Sequence, residues 1–173
     1  DDASVFRQAK ENMARSGLNA IATARQAALL ILALNGIQPP PGPISNDFYR
    51  QAIEMKIPRN YGGQVLTAMG GMSGGYFSRY RSLLQLSDDA MALADRNDVD
   101  EGKLRYVVRL GADQHAEMVR QIIDYNLTRR QVREICTAYE SDIKPPDPIS
   151  TPVKQLGNSL KKASDISEDE LRR

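Results

Sequence analysis

The sequence has no tryptophan, one cysteine and one histidine among 173 residues, and aromatic residues make up only 6% of it. With Cys136 alone, an internal disulfide framework and every multi-cysteine metal site are excluded. A lone cysteine on an apolar helical face reads as core. His115, between Gln114 and Ala116 in a polar stretch, has no second His or Cys to complete a ligand set, so no metal or catalytic role is expected of it. A Ser-His-Asp set, a Cys-His pair and a Walker-type phosphate loop are missing as well, and the sequence does not read as an enzyme. The longest apolar run, Ala27 to Leu34, falls far short of the ~20 residues a membrane span requires. The opening residues carry no secretory signal, so a cytoplasmic location is expected. Neither charge is in excess: 23 Lys and Arg against 22 Asp and Glu leave a formal net charge of +1. A uniformly basic coat is therefore excluded, and any contact with nucleic acid must come from local clustering.

Sustained period-2 alternation is missing too, and what is present reads as all-α, with room for a real core in one or two small domains. A polar first helix runs from about Ser4 to Arg15. Asn19 is placed to cap a second, ending near Asn35 with Gly36 as its stop. That helix is apolar nearly all round between Ala27 and Leu34, which implies burial on several sides and a place at the centre of the core. Pro39, Pro40, Pro41 and Pro43 forbid helix, and Asn46 or Asp47 restarts one through about Met55. After Leu86, Ser87 with Asp88 and Asp89 reads as a capped start of a helix running to about Asp95. Asp100 begins the next, which carries Leu104, Val107, Val108 and Leu110 and ends at Gly111. Two more follow, Asp113 to Tyr125 and Thr128 to Tyr139, the last with Val132, Ile135 and Cys136 facing inward.

Between these, VLTAMGGMSGGYFSRYRSLLQL (Val65 to Leu86) reads as a helix-turn-helix, a unit spanning residues 60–86 with the preceding break. Gly70 and Gly71 let the chain turn sharply after Met69, and Ser73 sits at an N-cap. Phe77, Tyr80, Leu83 and Leu84 form the buried stripe of the second helix. Tyr76, Ser78, Arg79 and Ser82 lie opposite, with Arg81 nearer the boundary. In proteins of this class the N-terminal residues of the second helix meet base edges, and arginine can be bidentate to guanine. The same pattern also fits two packed helices with solvated arginines. Basic residues cluster at Arg79 and Arg81, at Lys103, Arg105 and Arg109, and at Arg120, Arg129, Arg130 and Arg133. Asp88, Asp89, Asp95, Asp98, Asp100 and Glu101 gather elsewhere, and one basic face is expected. The helical domain spans residues 1–141. Residues 142–173 begin with a stiff linker of Pro145, Pro146, Pro148 and Pro152 and continue as a polar tail with a weak helical signal from Ser167 to Leu171. That tail reads equally as a tether, a partner-binding segment or a disordered terminus.

Four segments in order carry a resemblance. ENMARSGLNAIATA (Glu11 to Ala24) resembles the ENxxRxxLnpiExA segment of the ParB family of chromosome and plasmid partition proteins. GMSGGYFSRYRSLLQLS (Gly71 to Ser87) falls where that family has GKSxxxVxxxLRLLxLP. DEGKLRYVVRL (Asp100 to Leu110) is similar to its eGxLsxgHaraLL stretch, and NLTRRQVREI (Asn126 to Ile135) to its LsvRqvE stretch. The resemblance covers Lys10 to Tyr139 and implies a ParB/KorB-like central DNA-binding domain.

From the resemblance follows sequence-specific binding of double-stranded DNA at a palindromic centromere-like site, as a homodimer, in partition with a ParA-type ATPase, and a nucleoid-associated location. It assigns DNA contact to Ser73, Gly74, Gly75, Tyr76, Ser78, Arg79 and Arg81, and places Lys103 and Arg105 near DNA. It also implies CTP and Mg²⁺ in the whole protein, with Glu11, Asn12 and Arg15 matching the segment that helps hold them. The family's arginine-rich nucleotide motifs precede that segment and have no counterpart here, so no cofactor is expected of this chain by itself. Read without the family, Glu11 and Arg15 are an i,i+4 surface pair. Met72 and Gly74 stand where the family has Lys and Arg, Ala22 replaces a Glu, and the Pro-rich insertion from Ile37 to Asn60 is longer, which implies a divergent member with a different site. Two other roles suit the same helices: a transcriptional regulator or nucleoid-associated factor, and a protein-interaction adaptor whose arginines meet acidic partners.

Overall fold

The computed structural model describes residues 2–14 and 17–143. Among them it is all-helical, in the order α1 (Asp2–Ala14), α2 (Ala20–Leu34), α3 (Asn46–Arg50), α4 (Gly62–Ala68), α5 (Gly74–Ser82), α6 (Asp88–Arg96), α7 (Glu101–Val107), α8 (Ala112–Asp124) and α9 (Arg129–Ile143). Single 3-10 turns, Gln51–Ile53 and Leu83–Gln85, extend α3 and α5. The chain divides into one compact unit, Asp1–Thr137, and a second from Ala138 onward. The Pro145–Pro152 linker, the Ser167–Leu171 segment and Arg15 lie outside the described residues.

The position of α2 follows from its composition. Between Ala20 and Leu34 it buries Ile21, Leu30, Ile31 and Leu32 together with Ala24, Ala27 and Ala28. From Ala27 to Leu34 no polar residue occurs, so this part of the helix must be covered from several directions. α1, α3, α5, α6 and both 3-10 turns pack against it. The alanines matter as much as the large residues, because a small side chain lets a neighbouring helix come close enough for its own leucines and methionines to reach the core.

Polar side chains fix how the covering helices lie. Asn19 caps α2 by accepting from the Ala22 amide at 2.8 Å, and its own amide group donates to the Asp95 carbonyl (2.9 Å) and carboxylate (2.7 Å). Arg25 holds the other Asp95 oxygen at 2.6 Å. The start of α2 is thereby tied to the end of α6. Arg50 does the same for the segment that follows α5: its guanidinium donates to the Leu84 and Leu86 carbonyls (3.1 and 2.9 Å) and to the Asp47 and Asp88 carboxylates. Burial acts to lower the Arg50 pKa, but its hydrogen bonds to Asp88 and Asp47 more than offset this and raise it. Hydrogen bonds from Arg50 and Asn46 hold the Asp88 carboxyl below the usual carboxylate range.

Four local expectations are corrected. Ser45, not Asn46 or Asp47, caps α3, and the α-helix stops at Arg50 rather than running to Met55. Asn46 is already engaged, donating to Asp88 at 3.1 Å and accepting from Arg25 at 3.4 Å. Ser87 holds the expected N-cap position of α6, but its hydroxyl makes no capping bond. Its backbone amide donates instead to Nδ1 of His115, whose Nε2 donates to the Leu110 carbonyl at 3.0 Å, so this buried imidazole pins two loops together. Gly111 does not terminate a helix: α7 ends at Val107, and Gly111, with φ −62° and ψ 146°, is the N-cap of α8. Finally, Tyr80 is only half-buried, unlike Phe77, Leu83 and Leu84. At Thr128 the expected cap is present as a reciprocal box, Thr128 N–H donating to Gln131 Oε1 at 2.9 Å and Gln131 N–H to Thr128 Oγ1 at 3.4 Å.

Replacing Ile31 with alanine is expected to lower stability by about 2–5 kcal/mol, read from denaturant unfolding, because this side chain is fully buried in the core and its loss leaves a cavity. Asp88→Asn tests the Arg50 anchor. A carboxyl whose folded pKa is depressed stabilises the protein above its ordinary value near 3.8 and loses that contribution as the pH falls through the folded value. The stability gap between wild type and Asp88→Asn is therefore expected to be largest at neutral pH and to close in acid, as measured by urea midpoints across pH.

Candidate nucleic-acid interface

α4 and α5 are joined by a turn that the backbone makes with two successive left-handed residues, Gly70 (φ +77°) and Gly71 (φ +73°). The Gly71 amide closes the end of α4 by donating to the Leu66 carbonyl at 2.9 Å. Met72 is half-buried and packs against the core, anchoring the turn. Ser73 then caps α5, its hydroxyl accepting from the Tyr76 amide at 3.3 Å. α1 backs the turn, with Met13 Cε 3.7 Å from the position a Cβ on Gly70 would take.

α5 is held by Phe77, which is buried, and by the Leu83 and Leu84 side chains beyond it. Successive helical residues advance by about 100°, so Gly75, Arg79 and Ser82 form the line opposite Phe77. Gly74, Gly75, Ser78 and Arg79 are exposed, as is Tyr76 at 50% of its surface. The Arg79 guanidinium lies 5.1 Å from the centre of the Tyr76 ring. Such stacking restrains the side chain while leaving the edge of the guanidinium, with its donors, turned to solvent. Arg79 has no carboxylate partner among the described residues.

The two flanks of α5 differ. On one, Gly74, Ser78 and Arg81 border a groove of about 650 Å³ shared with Met55, Ile57 and Leu66. Arg81 is half-buried there and donates to the Met55 carbonyl at 3.2 Å, so it braces the preceding loop against α5. On the other flank lies α7. Burial raises the Tyr80 pKa, and the nearby Glu101 charge, with Tyr76 and Asp100, adds to the shift.

Lys103 and Arg105 on α7 are both compensated. Lys103 lies 3.7 Å from Asp100, and Arg105 donates to the buried Glu101 at 3.0 Å. Arg129 also approaches Asp100, at 3.7 Å, and its guanidinium lies so close over Gly102 that a Cβ there would overlap it. The expectation that the acidic residues stand apart from the basic ones is thus corrected: Asp100 and Glu101 sit directly among Lys103, Arg105 and Arg129. Arg120 and Arg130 are likewise paired, with Glu117 and Glu134. Arg109 instead lies 5.7 Å from the Tyr106 ring.

Of the residues matched to the nucleotide segment, Glu11 is exposed on α1 and the Asn12 amide donates to Gln26 at 3.0 Å. Among the described residues no group of three or more His, Cys, Asp or Glu side chains suited to a metal ion occurs. The sequence reading passed over two cations of α1, Arg7 and Lys10. Their three-residue spacing, which places both on one helical face, was the available signal.

Gly71→Ala isolates the backbone requirement of the turn. Nothing lies within 4 Å of the Cβ it would add, so the expected loss of about 1–2 kcal/mol in unfolding free energy arises from the left-handed φ alone.

Comparison with models of known families finds no match to this chain, nor do comparisons with curated proteins and with solved structures.

Proposed function

We propose that the chain is the DNA-binding part of a ParB-type partition protein, in which α4, the Gly70–Gly71 turn and α5 act as a helix-turn-helix on a palindromic centromere-like site. The observation that carries this reading is the outward line of α5: an uncompensated arginine, Arg79, restrained on Tyr76, on a helix entered through a left-handed turn and a serine cap. In this reading α5 enters the major groove and Arg79 donates in bidentate fashion to a guanine edge, a contact worth about 1–3 kcal/mol of discrimination. Gly74 and Gly75 leave the first turn of α5 without side chains, so its amides can come close to a phosphate. Tyr76 positions Arg79 and offers its hydroxyl to the backbone, and Ser78 adds a second short polar contact.

Arg81, Lys103 and Arg105 take a different role from Arg79. Arg81 holds the loop beside α5, while Lys103 and Arg105 hold the start of α7 through Asp100 and Glu101. Binding to a palindrome requires two copies with recognition helices about 34 Å apart. The homodimer, the ParA-type ATPase and the use of CTP with Mg²⁺ by the whole protein belong to this same proposal and rest on the four-segment resemblance.

The test is fluorescence anisotropy with a duplex selected from a random pool and an unrelated duplex of equal length. Wild type is expected to prefer the selected duplex, and Arg79→Ala to reduce that affinity by about 10–100-fold while leaving the unrelated duplex much less affected. Equal binding of both duplexes by wild type overturns the reading.

A further inference from the structure

A second surface lies between α1 and α4. The two helices border an open groove of about 610 Å³, lined by Phe6, Arg7 and Lys10 on one side and by Asn60, Gln64 and Thr67 on the other. Its floor is apolar, with the Phe6 ring 5.7 Å from that of Tyr61. No carboxylate lines it, and Arg7 and Lys10 are exposed with no ion-pair partner among the described residues. Lys103 and Arg105 on α7 are engaged by Asp100 and Glu101, whereas Arg7 and Lys10 stand beside α4 with no such partner among the described residues. With a net charge of only +1, attraction for an anion has to come from local placement of cations such as this.

We propose that this groove binds backbone phosphates of the same DNA that α5 addresses, a proposal that rests on the reading of α4 and α5 as a helix-turn-helix. In that arrangement the helix before the recognition helix crosses the phosphate backbone, and α4 is that helix. Phosphates are contacted by the donors found here: a guanidinium, an ammonium and side-chain amides. Arg7 and Lys10 supply charge, and Gln64 and Asn60 supply neutral donors. Thr67 already gives its hydroxyl proton to the Gly63 carbonyl at 2.9 Å and therefore only lines the wall. The groove keeps a fixed position relative to α5, because α1 packs on both α2 and α4 and Met13 abuts the turn at Gly70. Phosphate contacts of this kind set register and add affinity without reading sequence.

The experiment measures binding of the selected and unrelated duplexes over a series of salt concentrations for wild type, Arg7→Gln/Lys10→Gln and Gln64→Glu. Each phosphate neutralised contributes about 0.9 to the slope of log affinity against log salt, so loss of both cations is expected to reduce the slope by about 2. Affinity for the two duplexes should fall by the same factor, leaving their ratio unchanged. Gln64→Glu should weaken both duplexes by placing a negative charge among the phosphates. Thermal unfolding of both variants is expected to match wild type, since the altered side chains are exposed. An unchanged slope in the double variant, with wild type still preferring its palindrome and Arg79→Ala still losing that preference, overturns the groove and leaves the helix-turn-helix reading standing. A reduced slope with no sequence preference in wild type supports the groove and overturns that reading. Absence of any DNA binding overturns both.

Discussion

A helix whose Ala27–Leu34 stretch offers no polar face cannot rest against water, so α2 has to be enclosed, and the helices that enclose it have little choice in where they go. α5 is one of them. The face it turns to the core is set by Phe77 and by the Leu83 and Leu84 side chains beyond it, and the opposite face, with Gly75 and Arg79, is set by the same constraint. Burial of one helix thus decides which side of another meets solvent. The non-directional hydrophobic effect could place these helices in several ways, and directional hydrogen bonds between them, most of them part-buried, select one.

Those hydrogen bonds are concentrated in a few residues. Asn19 and Arg25 of α2 converge on Asp95 at the end of α6, while Arg50 reaches from α3 to the carbonyls that close the segment after α5. His115 bridges the loop before α6 and the loop before α8. Asn19, Arg50 and His115 also satisfy backbone groups near helix ends that would otherwise lack partners. Connections between short helices are therefore held by polar contacts as much as by packing, which suits a unit in which α3, α4 and α7 are each too short to be stable alone.

Charge follows the same logic of local pairing. A near-zero balance of acids and bases says nothing about where either lies, and here the acids are spent unevenly. Asp100 and Glu101 pair with Lys103, Arg105 and Arg129, Asp88 and Asp47 hold Arg50, and Asp95 holds Arg25. Among the described residues, Arg79, Arg7 and Lys10 receive no such partner. A cation stacked on a tyrosine or standing beside amides keeps its charge available to a ligand, whereas one paired with a buried carboxylate does not.

Much of the helical layout is written in short-range signals, and these were legible. Asn19, Ser73, Asp100 and Thr128 cap the helices that follow them, and Gly70 with Gly71 marks a turn, because each effect needs only residues within one helical turn. Burial of α2 was legible for a similar reason, since a helix apolar all round admits one outcome. The errors fall where a residue distant in sequence competes for the same group: Asn46 could have capped α3 but is held by Asp88 and Arg25, and the region around Ser87 is organised by His115. Adjacent capping residues look alike in one dimension, and only long-range partners separate them. The candidate site divides along the same line. Helical spacing is enough to put an arginine on α5 opposite Phe77, so Arg79 could be read from the order of residues. That Arg81 and Arg105 are occupied within the protein while Arg7 and Lys10 line a groove without carboxylates comes from folding, because the partners of a charge are whichever oxygens the packed helices bring within a few ångströms.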